Sequence, residues 1–460
     1  LAEKILLDTA VTDTTTTQRD VTETASSIDP SLKEDEISLG GLRLTELDQA
    51  TVIKDINHTG SSISANQIFL EAEGDITLIN ADLYATGEDG TLSLTGEEIN
   101  ITGVQDERTV SETLTEKTTE MTLSVRNAYL DAAYAVKRID EAVKAVDDAK
   151  DALKDAERRV ERGELAKEAL EDYRVMLAAA SANLVQVELG VMQALAAGTA
   201  TAGTGFYASA SGQHSETTSS SFSNEKTWQG SSLSASAMSI NADKANIIGS
   251  DINAGLLELD ATDILISAGT NEQSSSYQQE TQTAGFSVSG SGVGSWNANV
   301  GFNEADSQSQ ATQYVNSQLN VGHLVSNSEG LTVKGGLITA NSAEIETGAL
   351  HIESLQDTYS SSNSSMGANL GIAGTGNERK PTSGSTGFNM AEGSSEGART
   401  NQQSAILVAD GENSRVMARD TSLIGGMIAN ASYEESAEAG ELALVDHGNL
   451  NFTTETLTVE

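Results

Sequence analysis

Short phrases of alternating character recur along the chain: isoleucine, one residue, alanine, four residues, then an aliphatic. They read Ile63-Ser64-Ala65 to Leu70, Ile240-Asn241-Ala242 to Ile247, Ile252-Asn253-Ala254 to Leu259, and Ile338-Thr339-Ala340 to Ile345. A period of two places apolar side chains on one face of a strand. The same short unit repeated predicts a solenoid, whose coils bury their apolar faces only by stacking on neighbours. Alternation begins at Ile37, Leu39, Leu42 and Leu44 and continues to Ile99 and Ile101, broken by turn formers at Gly60-Ser61, Gly74-Asp75 and Asp89-Gly90. Ile63 to Leu83 spans one coil of about 20 residues.

The period changes near Met121. Residues 122–197 hold no Pro and only two Gly, Gly163 and Gly190. Ala132, Ile139, Val146, Leu153 and Val160 recur as a heptad seam, with Tyr129, Val136 and Val143 at the companion position. Arg162-Gly163 supplies a helix end. A second helical stretch follows with Leu165, Leu170, Tyr173, Leu177, Leu184, Val187 and Leu195. Two arms of similar length with a short joint predict an antiparallel helical hairpin, each arm roughly 50 Å long.

A wider order is visible too. Pairs of coils end in polar tracts at Gln105-Asp106-Glu107, Thr270-Asn271-Glu272 and Gln356-Asp357-Thr358. Gly-rich alternating stretches follow the last two, and the helices take that place after the first. The expected division is therefore a lead-in over 1–36, coils over 37–121, an inserted helical hairpin over 122–198, and coils with Gly/Ser-rich extension loops over 199–460. At about 20 residues per coil, fewer than about 19 coils are expected, in a rod of at most roughly 90 Å.

Composition suits a narrow core. Aromatics are 4% and hydrophobics 38%, with 41 Gly and only 2 Pro. A net charge of −42 opposes a nucleic-acid partner, which needs clustered Lys and Arg, and disfavours anionic headgroups. Acidity also keeps strand edges of separate molecules apart. Cysteine is absent, which suits a chain crossing an oxidising compartment unfolded. No run of 18 apolar residues occurs, and the start at Leu1-Ala2-Glu3-Lys4 is expected to belong to a mature or interior piece.

Catalytic patterns are sparse. His58, His214, His323, His351 and His447 stand singly, without metal-ligand spacing, so no metal or cofactor is expected. Glycines at 290, 292 and 294, and at 371, 374 and 376, lack the strand-to-helix setting of a phosphate loop. Asp75, Asp82, Asp89, Asp251 and Asp263 recur near turns, where Asp bonds its own backbone. A glycan-cleaving solenoid would need two of them roughly 5 to 10 Å apart in a groove. The alternating run Phe286, Val288, Val293, Trp296, Val300 and Phe302 reads either as membrane-entering strands or as an outward hairpin layered on the solenoid; the hairpin is the expectation. Arg158, Arg159, Arg162, Gly163 and Glu164 form the hairpin tip, a candidate partner contact.

Gly249-Ser250-Asp251-Ile252-Asn253-Ala254, Gln356-Asp357-Thr358 with its Ser-rich follow-on, and Asp420-Thr421-Ser422-Leu423-Ile424-Gly425-Gly426-Met427-Ile428-Ala429 resemble the haemagglutinin-type repeats of the filamentous haemagglutinin family. Gly440-Glu441-Leu442 to Asn449 resembles the passage after them. The resemblance covers about 37–120 and 199–460; the helical insert departs from the usual repeat. It implies a right-handed parallel β-helix, non-enzymatic, exported to the bacterial surface through an outer-membrane transporter partner. The implied role is adhesion or contact-dependent toxin delivery to a target-cell receptor or membrane. The alternatives are a self-associating fibre subunit and a polysaccharide-active enzyme.

Overall fold

The computed structural model describes residues 2–32, 36–161, 206–290, 295–375, 381, 383–435 and 442–460. The chain is mainly β, with two sheets of opposite kind. One is a parallel ladder built from coils, a β-helix. The other is an antiparallel sheet built from long hairpins that leave the coils.

The ladder starts at β1 (Ile5–Leu7), after which the chain runs out through β2 (Ala10–Ile28), β3 (Ser31–Leu32) and β4 (Glu36–Thr59). Two coils follow: β5 (Ser62–Ala65), β6 (Gln67–Glu71) and β7 (Ile76–Ile79), then β8 (Asp82–Ala85), β9 (Thr91–Thr95) and β10 (Glu98–Thr102). The second excursion is β11 (Val104–Asn127), helix α1 (Ala128–Glu161) and β12 (Phe206–Gln229). Coils β13 (Ser232–Ile248) and β14 (Asp251–Ser267) lead to a third, β15 (Gly269–Gly290) and β16 (Ser295–Val315). Coils β17 (Ser317–Lys334) and β18 (Gly336–Glu353) lead to a fourth, β19 (Asp357–Thr375) and β20 (Ser383–Arg399). The ladder closes with β21 (Ala405–Val408), β22 (Arg415–Ile424), β23 (Met427–Ala429) and β26 (Asn451–Val459), with a small antiparallel pair, β24 (Ala431–Glu435) and β25 (Leu442–Asp446), between the last two.

Successive excursions are thus separated by two coils. The spacing explains the sheet. Strands in either kind of sheet lie about 4.8 Å apart, so two coils rise by as much as one two-stranded hairpin is wide. Hairpins leaving the same corner therefore meet edge to edge, and they pair as β2-β4-β11-β12-β15-β16-β19-β20.

Side chains confirm the stacking. One column runs Leu7, Leu78, Ile101, Ile247, Ile266, Val333, Ile352, Leu423 and Val459, each paired in parallel with the next. From Leu78 to Ile352 every member is fully buried. Nine rungs give a ladder of about 40 Å, well inside the upper bound of roughly 90 Å, because the polar tracts are strands of the second sheet. The stretches 37–59 and 104–121, expected as coils, belong to that sheet as well, as does most of the lead-in. One repeated phrase is out of phase. Ile240 stacks between Leu94 and Leu259, whereas Ile252 stacks under Leu233, so the Ile-x-Ala motif marks two different faces of the coil.

Buried serines hold the corner where chains leave and return. Ser317 is fully buried; its Oγ donates to Ser267 O (2.6 Å) and accepts from Ser250 N (3.2 Å). Ser250 Oγ accepts from Ser231 N (3.1 Å), and Ser231 Oγ donates to Thr102 O (2.6 Å). Ser404 Oγ repeats the arrangement on Glu353 O (2.7 Å). These hydroxyls give the N–H groups of Ser231 and Ser250 an acceptor and add a second bond to carbonyls already paired with a neighbouring backbone N–H.

Helix α1 interrupts the second hairpin at its far end. Ala142, Val146, Ala149 and Ala156 are buried, while Val143 is 41% exposed. The companion to the seam is therefore the alanine row, not Val143. Lys150 and Lys154 pair with Asp147 (3.6 Å) and Asp151 (3.8 Å), three residues apart. The second helical arm lies outside the described residues.

Candidate functional site

Side chains directly opposite each other in an antiparallel pair share a face, so the register of the hairpins can be read as rows across the sheet. Far from the coils one face carries Leu123, Ala210, Val288 and Trp296 in one row. The next holds Leu42, Met121, Gly212, Phe286, Ala298 and Ile372, and the next Leu44, Thr119, His214, Ala284, Val300 and Leu370. On the later hairpins a fourth row adds Phe302, Ala368 and Phe388. From β15 to β20 these rows hold no charged residue.

The opposite face differs. Its rows read Gly41, Thr122, Ser211, Ser287, Asn297 and Ala373, then Arg43, Glu120, Gln213, Gly285, Asn299 and Gly371, then Thr45, Thr118, Ser215, Thr283, Gly301, Asn369 and Gly387. The sheet is amphipathic, and nothing in the described chain covers its apolar side. Phe286, Val288, Val300 and Leu370 are each about half exposed, and Phe388 is 76% exposed. From Trp296 to Phe302 the apolar band extends about 20 Å along the strand.

Local chemistry keeps both faces flat. The Phe286 ring lies across Gly212 and the Trp296 ring across Gly374, so a Cβ at either glycine would collide with the ring. On the polar face the Asn299 and Asn369 amides lie over Gly285 and Gly301 in the same way. Glycine opposite a large planar group is the sequence signal for this packing.

Near the coils the sheet is tied down by a repeated bond. Ladder pairing between hairpins stops at Ile56 with Glu107, Lys226 with Glu272, and Thr312 with Thr358. Two residues further down the returning strand, the N–H groups of His58, Trp228 and Tyr314 donate to Asp106, Asn271 and Asp357 Oδ1, each at 2.7 Å. Trp228 Nε1 also donates to Gly249 O (2.8 Å), pinning the hairpin to the coil corner. Sequence reading singled out these tracts as the ends of coil pairs but assigned their carboxylates and amide no task.

The remaining candidates do not converge. The five histidines have separate partners: Asp106 for His58, Thr119 for His214, Ser342 for His323, Glu353 for His351 and Ser432 for His447. Asp82 and Asp251 lie two rungs apart with Ser232 between them, a backbone separation of about 9.6 Å. Asp75 lies 3.9 Å from Lys4. Surface depressions of about 480 and 610 Å³ lie elsewhere, on the sheet, lined by Gln310, Thr358, Ser360 and Glu396 and by Asp306, Gln308, Ser362 and Glu392. Arg158 and Arg159 stand in the last turn of α1, whereas Arg162, Gly163 and Glu164 lie outside the described residues. Among the described residues no helix is long and apolar enough to cross a membrane.

Residues 208–368 match the family model described as hemagglutinin repeat. The matched stretch, about a third of the chain, is similar to the repeats of the filamentous haemagglutinins. In the structure it runs from β12 through two coils, a hairpin and two more coils into β19, so one hemagglutinin repeat contains both the ladder and the sheet. Proteins carrying this repeat are secreted surface proteins of adhesin type, structural in character. No curated protein matches the chain. Among solved structures the crystal structure of FemX is similar at 11% identity, over 25% of this chain and 23% of that one, with a TM-score of 0.15. A likeness that slight carries no argument.

Proposed function

We propose that this chain is a shaft section of a bacterial cell-surface exoprotein that acts in adhesion or contact-dependent toxin delivery, and that its antiparallel sheet is the part that meets the target cell's membrane. The observation carrying this reading is the uncovered, charge-free apolar face backed by a Ser, Thr, Asn and Gly face. Large exposed apolar patches mark contact surfaces, and alternation of this kind is the pattern of strands that face lipid on one side and water on the other. The β-helix, right-handed as the family resemblance implies, supplies the pitch that lines the hairpins up. Export through an outer-membrane transporter partner fits the repeat family and the absence of cysteine. The tip around Arg158–Glu164 is a second candidate contact, for a receptor. Catalysis has no part in this role.

Two tryptophans make the reading testable. Trp228 sits at the coil corner and Trp296 in the apolar rows. With Trp228→Phe, Trp296 becomes the sole indole reporter. Mixing with phosphatidylcholine vesicles is expected to shift its emission to the blue and expose it to quenching by brominated lipid. Emission unchanged at saturating vesicle would remove the membrane reading.

A further inference from the structure

The apolar rows have a continuous face only if neighbouring hairpins are joined in one register. Within a hairpin, register is set by the covalent turn, but between hairpins nothing covalent sets it. A slip of one residue would send every apolar side chain of the next hairpin to the polar face. Whatever fixes the seams therefore fixes the candidate contact surface.

The seams share one device. In all three, the N–H two residues beyond the last ladder pair finds the Oδ1 of the residue just before the last paired residue on the next hairpin. The acceptor residue is already paired on its other side within its own hairpin, at Asp106 with Thr227, Asn271 with Gln313 and Asp357 with Arg399, so its side chain reaches across the seam where the backbone ladder between hairpins has ended. An Asx side chain is short, and it meets that N–H in only one register.

We propose that Asp106, Asn271 and Asp357 are positioning residues that set the register between hairpins, each sealing the preceding hairpin to its own. In every case the donor belongs to the earlier strand and the acceptor to the later one. The seal on a hairpin is completed only when the next hairpin arrives, so the sheet closes from the N-terminal side as the chain emerges. The consequence for the apolar face rests on the membrane reading above; the register role does not.

Backbone amide exchange of the full chain without vesicles tests it. Asn271→Ala is expected to speed exchange at Trp228 about tenfold and to loosen the β12–β15 seam, leaving β16–β19 and the buried coil positions Ile247 and Ile266 protected. Asn271→Asp, which keeps an Oδ1 acceptor, is expected to restore protection. Asp357→Ala is expected to act on Tyr314 and its own seam alone. Unchanged exchange at Trp228 in Asn271→Ala, or equal loosening of all seams in either alanine variant, would overturn the proposal. The same variants with vesicles separate the two readings. A Trp228→Phe chain whose Trp296 emission never shifts defeats the membrane role alone, while seam opening that follows the Asx substitutions in the otherwise native chain still upholds the register role.

Discussion

In the coils, Ile247 and Ile266 lose all contact with water; in the hairpins, Val300 and Phe286, equally apolar, stay half exposed. The two regions share a strand spacing and are joined at every second coil, yet different forces hold them. A coil is stabilised by burial, at about 25 cal/mol per Å² of apolar surface removed from water. The sheet has no second layer over its apolar rows, so ladder hydrogen bonds and cross-strand pairs carry it. Stability and contact surface have been allotted to different sheets. A side chain freed from holding the fold together is available to meet something else.

The widest gap is expected from matched truncations. Ile247→Ala should cost about 2–5 kcal/mol, from lost burial and an unfilled cavity. Val300→Ala should stay within about 0.5 kcal/mol. Urea denaturation followed by circular dichroism checks both, and similar costs would erase the distinction between the regions. The corner serines should fall between these extremes. Ser317→Ala leaves the buried N–H of Ser250 without its partner, while the carbonyl of Ser267 keeps the N–H of Gly249, and a loss of about 1–3 kcal/mol is expected in the same measurement.

Charge placed on the apolar rows should separate stability from contact. Val300→Glu is expected to unfold at nearly the wild-type urea concentration while abolishing the vesicle-dependent shift of Trp296. A variant that still shifts would mean the apolar rows are not the contact.

The smallest effect expected lies at the C-terminal rungs. Asp420 accepts a hydrogen bond from Thr456 (2.7 Å) and pairs with Arg419, which together hold its carboxyl below the usual 3.8. A depressed carboxylate stabilises the fold above its ordinary value, and that contribution fades as pH falls through the lower folded value. Protection of the Leu457 amide, its exchange measured against the intrinsic rate at each pH, should therefore fall in acid, and Asp420→Asn should flatten that dependence. Because the group is fully exposed, the change will be slight.

Much of the ladder was legible because burial writes a strict period: Ile63, Ile252 and Ile338 begin coils where the alternation says they do. The two-coil rhythm also showed, through the tracts at Asp106, Asn271 and Asp357. Leu42 and Leu44 were assigned to coils because a one-sided antiparallel strand has the same period of two as a coil strand. What separates them is the antiparallel pairing itself, with Ser27 and Ala25 on one side and with Met121 and Thr119, more than 70 residues on, on the other, which no local pattern carries. The corner serines left a fainter trace. Ser61, Ser231, Ser250, Ser317 and Ser404 each stand two residues before an aliphatic that opens a coil, a spacing visible only once the phase of the coils is known. The amphipathic rows of the sheet needed the register itself, since Phe286 and Ile372 come together only through Ala298 between them.

The absence of cysteine allows one direct test of hairpins fused into a single sheet. Ala298 and Ile372 belong to different hairpins and face each other across the β16–β19 seam, a separation within disulfide reach. With Ala298→Cys and Ile372→Cys combined, mild oxidation of the folded protein is expected to give a rapid intramolecular cross-link. Moving the second cysteine one residue along, to Ala373→Cys on the opposite face, should give none. Equal cross-linking in both pairs, or none in either, would contradict a continuous sheet with one apolar face.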